Sequence, residues 1–350
     1  MDIKDSARKV FKEIIESTVI KSNDSMDYKN AKIKSFCEQV HNIRPKTLFR
    51  YREYNDYTVD ALSKFLITSS KPAVFNDPFD SLVYVDTNLI ASSVKMPGNR
   101  QNYKSWLGSN KAILNLFSKD SIKMSEEFLD ETPEKYYSFA TIAQPELERR
   151  LNILTSYCQQ ELKNSTHIAC FSEDVLSPTM WAHYADSHKG FVMEYDFSKY
   201  TMYKCENSDN FGKEYNDILF PVIYSDKRYD ASNYLRTYVA NKFRERGIPI
   251  SYVDDDLLSK YKTLLYKSKD WEYEKEWRII TMSNIMPNII KKPKGIYWGA
   301  NMEPKKRQVL YNIAQKEKIN LYEMFVEHNN REYRMNYRNI ISFEHDLNSD

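Results

Sequence analysis

The sequence predicts an α+β fold: a mixed, split β-sheet core with a helical N-terminal arm and a helical insertion. Three observations point there. Short apolar runs of strand length recur at 47–52, 167–171, 190–195 and 276–280. Segments of helical period stand before and between them, and a long polar stretch with helical character separates the first strands from the later ones. Residues 1–43 are expected to form the arm and 44–345 one α+β domain, with the insertion at about 88–165.

In chain order, Ile3, Ala7, Val10, Phe11, Ile14 and Ile15 fall on one helical stripe, and a second helix is expected over 30–40. Pro45 ends that pattern. Thr47 to Arg52 reads as a first strand, 59–65 as a helix and 66–69 as a second strand. Within the insertion 147–162 has the clearest helical period. His167 to Phe171 is a buried-type strand, 179–185 a short helix, 190–195 a strand and 220–224 another. Helices over 233–244 and 254–267 lead to the strand at 276–280. After them come a strand at 296–298, a helix over 304–316 and a terminal hairpin of 321–326 with 332–336, turned by Asn329-Asn330.

Composition narrows the chemistry. Across 350 residues, 51 Lys and Arg nearly cancel 49 Asp and Glu, so no global field announces a polyanionic partner. Cys37, Cys158, Cys170 and Cys205 are widely spaced without a Cys-x-x-Cys pair, which argues for reduced thiols rather than a disulfide framework or structural zinc. The charged opening at Met1-Asp2-Ile3-Lys4-Asp5 and the lack of a long apolar window predict a soluble, cytoplasmic protein without membrane contact. Neither the Gly-x-Gly-x-x-Gly nor the Gly-x-x-x-x-Gly-Lys-Ser/Thr phosphate cradle is present, which disfavours Rossmann and P-loop enzymes.

Three stretches could carry chemistry. In Phe75-Asn76-Asp77-Pro78-Phe79-Asp80, proline fixes the backbone and pushes Asp77 toward extended geometry, so Asn and Asp side chains are presented at a set angle. Taken alone, such a run is more often a structural turn with its phenylalanines as core anchors. Cys170-Phe171-Ser172 ends a buried strand in a hydroxyl, and Met180-Trp181-Ala182-His183-Tyr184 follows on a helix. His183 is a base or ligand if not simply structural, and Trp181 and Tyr184 are core residues or a stacking flank for a planar ring. In Trp271-Glu272-Tyr273-Glu274-Lys275-Glu276-Trp277-Arg278, an extended chain would point Glu272, Glu274, Glu276 and Arg278 to one face. Crowding would then raise at least one carboxylate pKa, unless solvent or arginine relieves it.

Taken together, the Tyr51-Arg52 pair, the 75–80 run, the Cys170-Phe171-Ser172 to Lys189-Gly190 segment and the 271–278 strand resemble a bacterial family of domains without assigned function, from about Leu48 to Arg278. More distantly, an arginine on the first strand, a serine strand with its helix, and a late Glu-x-Glu strand follow in the order seen in ADP-ribosyltransferases. That likeness implies a sheet core of the ADP-ribosyltransferase type with NAD as substrate. On it, Arg52 (or Arg50) would hold the dinucleotide phosphates, Ser172 would brace the nicotinamide ribose, and Glu276 would be catalytic with Glu274 beside it. Phe75 and Tyr184 would sandwich the departing ring, with Asn76, Asp77, Asp80, Trp181, His183 and Arg278 completing the NAD site. The expected function is ADP-ribosyl transfer or NAD cleavage onto a protein or nucleic-acid acceptor, in the setting of a toxin or phage-defence effector. Two other classes stay open: a nucleic-acid-binding module using arginines and tyrosines, and a metal-dependent nuclease using Asp77, Asp80, Glu274 and Glu276.

Overall fold

Amphipathic helix formation sets the first layer. A computed structural model describes residues 3–86, 149, 152–153, 155–198, 219–244, 256–283 and 289–341. Helix α1 (Ile3–Ser17) buries Phe11 and Ile15 completely, whereas Val10, expected on the same stripe, is exposed because the buried face is narrower than the pattern suggested. Helix α2 (Met26–Ile43) begins where the Ser25 side chain accepts the Tyr28 N–H, a conventional N-cap, and buries Ile33, Phe36, Cys37 and Val40. Both helices pack on one face of the sheet, against Phe220, Ile168 and Ile280.

The strands are β1 (Thr47–Arg52), β2 (Leu66–Ile67), β3 (His167–Ser172), β4 (Phe191–Asp196), β5 (Leu219–Pro221), β6 (Ile223–Ser225), β7 (Tyr266–Ser268), β8 (Glu276–Thr281), β9 (Ile289–Ile290), β10 (Gly295–Trp298), β11 (Asn320–Val326) and β12 (Met335–Asn339). Eight of them form a mixed sheet in the order β12-β11-β10-β4-β1-β3-β8-β5, in which β10 and β11 are parallel and the other neighbours antiparallel. The runs expected at 47–52, 167–171 and 276–280 are therefore adjacent strands. Two short pairs, β2-β9 and β6-β7, stand apart from this sheet.

The remaining helices are α3 (Asp56–Ser63), α4 (Pro178–Tyr184), α5 (Ser232–Arg244), α6 (Ser259–Leu265) and α7 (Pro304–Glu317), beside a helical stretch over 155–164. Apart from its last part, the insertion expected at about 88–165 lies outside the described residues. Cys37, Cys158 and Cys170 are free thiols; Cys205 lies outside the described residues.

Alternation along the strands sorts side chains into two layers. Leu48, Phe171, Tyr195, Trp277 and Ile296 form the core on the face that also buries Leu310 and Ala314 of α7. The opposite face carries the α1/α2 layer at one end and, at the other, a cluster of Tyr51, Val192 and Tyr297 with Trp181 of α4. Between these two covers the sheet is left open, and the cleft described below occupies that gap. β1 and β3 meet at a single pair, Phe49 with Ser172, while Ser70 takes the place beside Ile168, so the sheet splits next to the cleft. No helix among the described residues is long and apolar enough to cross a membrane.

Candidate functional site

A cleft of about 380 Å³ opens between α4 and the central strands, walled by β1, β3, β8 and the 75–80 loop. Arg50, Arg52, Phe75, Asn76, Asp80, Ser172, His183, Tyr184, Glu274, Glu276 and Arg278 all line it. Two residues expected there do not. Trp181 is fully buried in the core, its indole N–H donating to the Val175 carbonyl at 2.7 Å, so it has no free ring face for a ligand. Asp77 is turned into its own loop, where Oδ1 accepts the Phe79 N–H at 2.9 Å.

Antiparallel pairing sets the floor. Ser172 faces Glu276 and Cys170 faces Arg278 across β3 and β8, so all four point to the same side. Glu274 arrives by a different route from the one expected. Residues Lys269–Glu274 form a 3-10 helix, not a strand, and Lys275 then takes a left-handed conformation with φ 46°. This turn leaves Glu272 exposed and swings Glu274 back beside Glu276. The face of three glutamates and an arginine expected from an extended chain is therefore reduced to Glu274, Glu276 and Arg278. Ser172 fixes the turn, its hydroxyl donating to the Glu274 carbonyl at 2.7 Å.

Charges here are packed and ordered. Arg278, fully buried, donates to both oxygens of Asp80 at 3.0 and 2.5 Å and to both oxygens of Glu276 at 2.8 and 2.9 Å. Its remaining bond goes to the Leu264 carbonyl at 2.7 Å, and the guanidinium carbon lies over the Phe75 ring, 5.7 Å from the centroid. Lys267 bridges the carboxylates, 2.6 Å from Glu274, 3.3 Å from Glu276 and 3.7 Å from Asp80. Three carboxyl groups thus share two cations, and burial of the resulting charge falls on the least paired of them. Burial, with Glu276 beside it, pushes the Glu274 carboxyl up to about 7. Although burial opposes it, Glu276 is held well below the usual carboxylate range by Arg278 and then Lys267. The Tyr184 hydroxyl donates to Glu274 at 2.6 Å, Asn76 reaches that hydroxyl at 3.4 Å, and a ring nitrogen of His183 lies 3.0 Å from the Tyr273 hydroxyl at the rim.

The other wall is cationic. By the pleat, Arg50 and Arg52 belong to the sheet face opposite Glu276, and they border the cleft at the split between β1 and β3. Both guanidinium groups bond Thr68: Arg50 to its carbonyl and hydroxyl, Arg52 to its hydroxyl at 3.0 Å. Neither has a carboxylate partner among the described residues. Arg50 is 4 % exposed and its Nε has no hydrogen-bond partner. Burial pulls the Arg52 guanidinium below its ordinary value. A buried guanidinium without an anion is costly, and an anionic ligand in the adjoining cleft would offset that cost.

Lys267 is the residue that sequence reasoning missed. It falls at the end of an expected helix, and only its return as β7 directs the ammonium inward. Among the described residues no group of three or more His, Cys, Asp and Glu side chains is arranged to hold a metal ion. Where Asp80, Glu274 and Glu276 converge, Lys267 occupies the position a cation would take.

Residues 180–279 match a family described as Protein of unknown function (DUF2971). That segment contains Tyr184, Lys267, Glu274, Glu276 and Arg278, whereas Arg50, Arg52, Asp80 and Ser172 precede it. No curated protein and no solved structure matches the chain.

Proposed function

We propose, from the premise that this chain carries a segment of a family with no assigned activity, that the cleft binds NAD and breaks the bond between nicotinamide and ribose. The ADP-ribosyl group would pass to water or to a nucleophilic acceptor. The observation that carries this reading is the pairing of opposites across one small cleft: two arginines without acid partners on one wall, and an over-supplied carboxylate cluster on the other. A pyrophosphate suits the first and a cationic ribose the second.

The chemistry follows from the charges. As the glycosidic bond breaks, its electron pair goes to the nicotinamide ring nitrogen, which loses its positive charge while the ribose becomes oxocarbenium-like. Glu276 stays ionised because Arg278 and Lys267 favour its charged form, so its negative charge is present at any working pH. Glu274, poised at about 7, accepts the proton that the attacking hydroxyl or water gives up. Phe75, which lies beside the Arg278 guanidinium, and Tyr184 supply the flat surfaces for the leaving ring.

The test is incubation of the purified chain with NAD, with free nicotinamide followed by chromatography. Release by the wild type is expected, with Glu276→Gln reducing it ~10²-fold or more. Arg52→Ala should weaken NAD binding roughly 10-fold or more through the loss of charge-assisted bonds to phosphate. Wild-type protein that neither binds NAD nor releases nicotinamide would remove the proposal.

A further inference from the structure

Behind Lys267 lies a second cavity of about 710 Å³. Lys267 lines both, so a single residue forms part of the wall between them. The second cavity has three kinds of lining. Its aromatic surface comes from Phe79, Tyr84, Tyr229, Tyr266 and Trp271. Phe79 is 60 % exposed and Tyr84 47 %, while the Tyr229 and Tyr266 rings lie 5.2 Å apart. Aromatic area left in solvent at a concave site is uncommon without a ligand to cover it.

The charged lining separates by function. Asp226 is taken by Lys269 at 2.5 Å. Asp230 and Asp270 accept from Ser232 and Ser268 respectively, and they keep carboxylate oxygens that can accept further bonds. Lys227 and Arg228 are exposed and have no acid partner among the described residues. Stacking faces, carboxylate acceptors and unpaired cations together match one class of ligand. A nucleotide has a flat base with amino and imino donors on its edge and a phosphate at the other end. The cavity is large enough for one such unit.

We propose that this second cavity is a nucleotide-binding subsite, with Tyr84 and Phe79 stacking on the base, Asp270 or Asp230 accepting from its edge, and Lys227 with Arg228 holding the phosphate. The subsite rests on its own lining and stands whether or not the neighbouring cleft acts on NAD. The same chemistry is offered by a free nucleotide and by one residue of a single strand. Size separates these sources.

The experiment is calorimetric titration of the full chain, without NAD, using GMP, AMP and a short single-stranded oligonucleotide at two salt concentrations. Binding of at least one probe is expected. The double change Lys227→Glu with Arg228→Glu, and separately Tyr84→Ala, should each weaken binding at least roughly tenfold with circular dichroism unaltered. These side chains are exposed and Tyr84 is held through its backbone to Tyr229 and Ala231, so the fold should survive. Arg52→Ala, in the neighbouring cleft, should leave this binding in place. Preference for the mononucleotides assigns a free nucleotide, and a much tighter, more salt-sensitive oligonucleotide assigns a strand; either supports the subsite. Absence of binding by every probe, or binding weakened by Arg52→Ala and indifferent to Tyr84→Ala, would overturn it.

Discussion

Glu274 carries the proton that its buried neighbours cannot settle among themselves, and this makes it a reporter for the cleft. Its folded value of about 7 stands above the ordinary 4.5, so between those values the native chain binds more protons than the unfolded chain. Stability from this group is therefore present at low pH and is lost as pH rises through that window. Replacing Glu274 with Gln should remove the loss, so the melting temperature of the variant relative to wild type should climb between about pH 5 and about pH 8. A constant offset across that range would show that Glu274 does not titrate there. The two aspartates of the 75–80 loop should separate in a second measurement. Asp80 answers the Arg278 fork with both oxygens, whereas Asp77 uses one oxygen to cap a turn and leaves Oδ2 without a hydrogen-bond partner. Urea denaturation should give a cost of ~3–5 kcal/mol for Asp80→Asn, because a buried arginine loses half its neutralisation, and no more than ~1 kcal/mol for Asp77→Asn. Equal costs would deny Asp80 its special place. The sequence showed both aspartates in one rigid run but not which would meet an arginine almost two hundred residues later.

At the scale of elements, the turn through Lys275 decides the shape of the acidic wall. A lysine with φ 46° is unusual, since a side chain beyond glycine or asparagine finds that region crowded. Lys275→Gly should therefore be tolerated to within ~1 kcal/mol, while Lys275→Val should cost ~2 kcal/mol or more and lower activity by displacing Glu274. Indistinguishable stability and activity in the two variants would mean that this backbone conformation is not needed. Neither the 3-10 helix nor the turn was legible, because Lys269–Glu274 contains no Gly, Pro or Asn to mark a break and its alternating charges imitate a strand. The strand expected at Thr47 to Arg52 is there as β1, and its pleat sets Arg50 and Arg52 on one face. Alternation could not reveal that β1 and β3 touch at only one pair, which is why those arginines border a cleft on the far side. The close passage of Arg52 beside the α4-to-β4 connection is also hidden in sequence: a Cβ on Gly190 would lie 2.2 Å from the Arg52 carbonyl oxygen.

Across the whole molecule, the strands that meet at the cleft were legible because each is a short apolar run bounded by breaks, and such runs pair wherever burial demands it. Most of the residues expected at the candidate site do line the cleft, and Glu276, Arg278 and Ser172 stood out because each occupies a polar position of an otherwise buried strand. What stayed hidden were contacts between distant elements, and Lys267 and Arg8 are the clearest cases. The Arg8 guanidinium donates to the Val222 carbonyl at 3.0 Å, the Glu276 carbonyl at 2.9 Å and the Glu173 carboxylate at 2.7 Å, which also accepts the Trp277 indole N–H. Helix α1 is thereby riveted to the strand that bears Glu276. This arrangement has a consequence for synthesis on the ribosome. Arg8 is translated 268 residues before its last anchor, at position 276, so the two cannot meet until the strand that bears Glu276 has been made. Through that interval the apolar stripe of Phe11 and Ile15 lacks the part of its cover that Ile280 supplies and is more open to a chaperone or to a neighbouring nascent chain. The cleft is then completed from behind, by a helix made long before, only after the strand carrying its acidic wall has emerged.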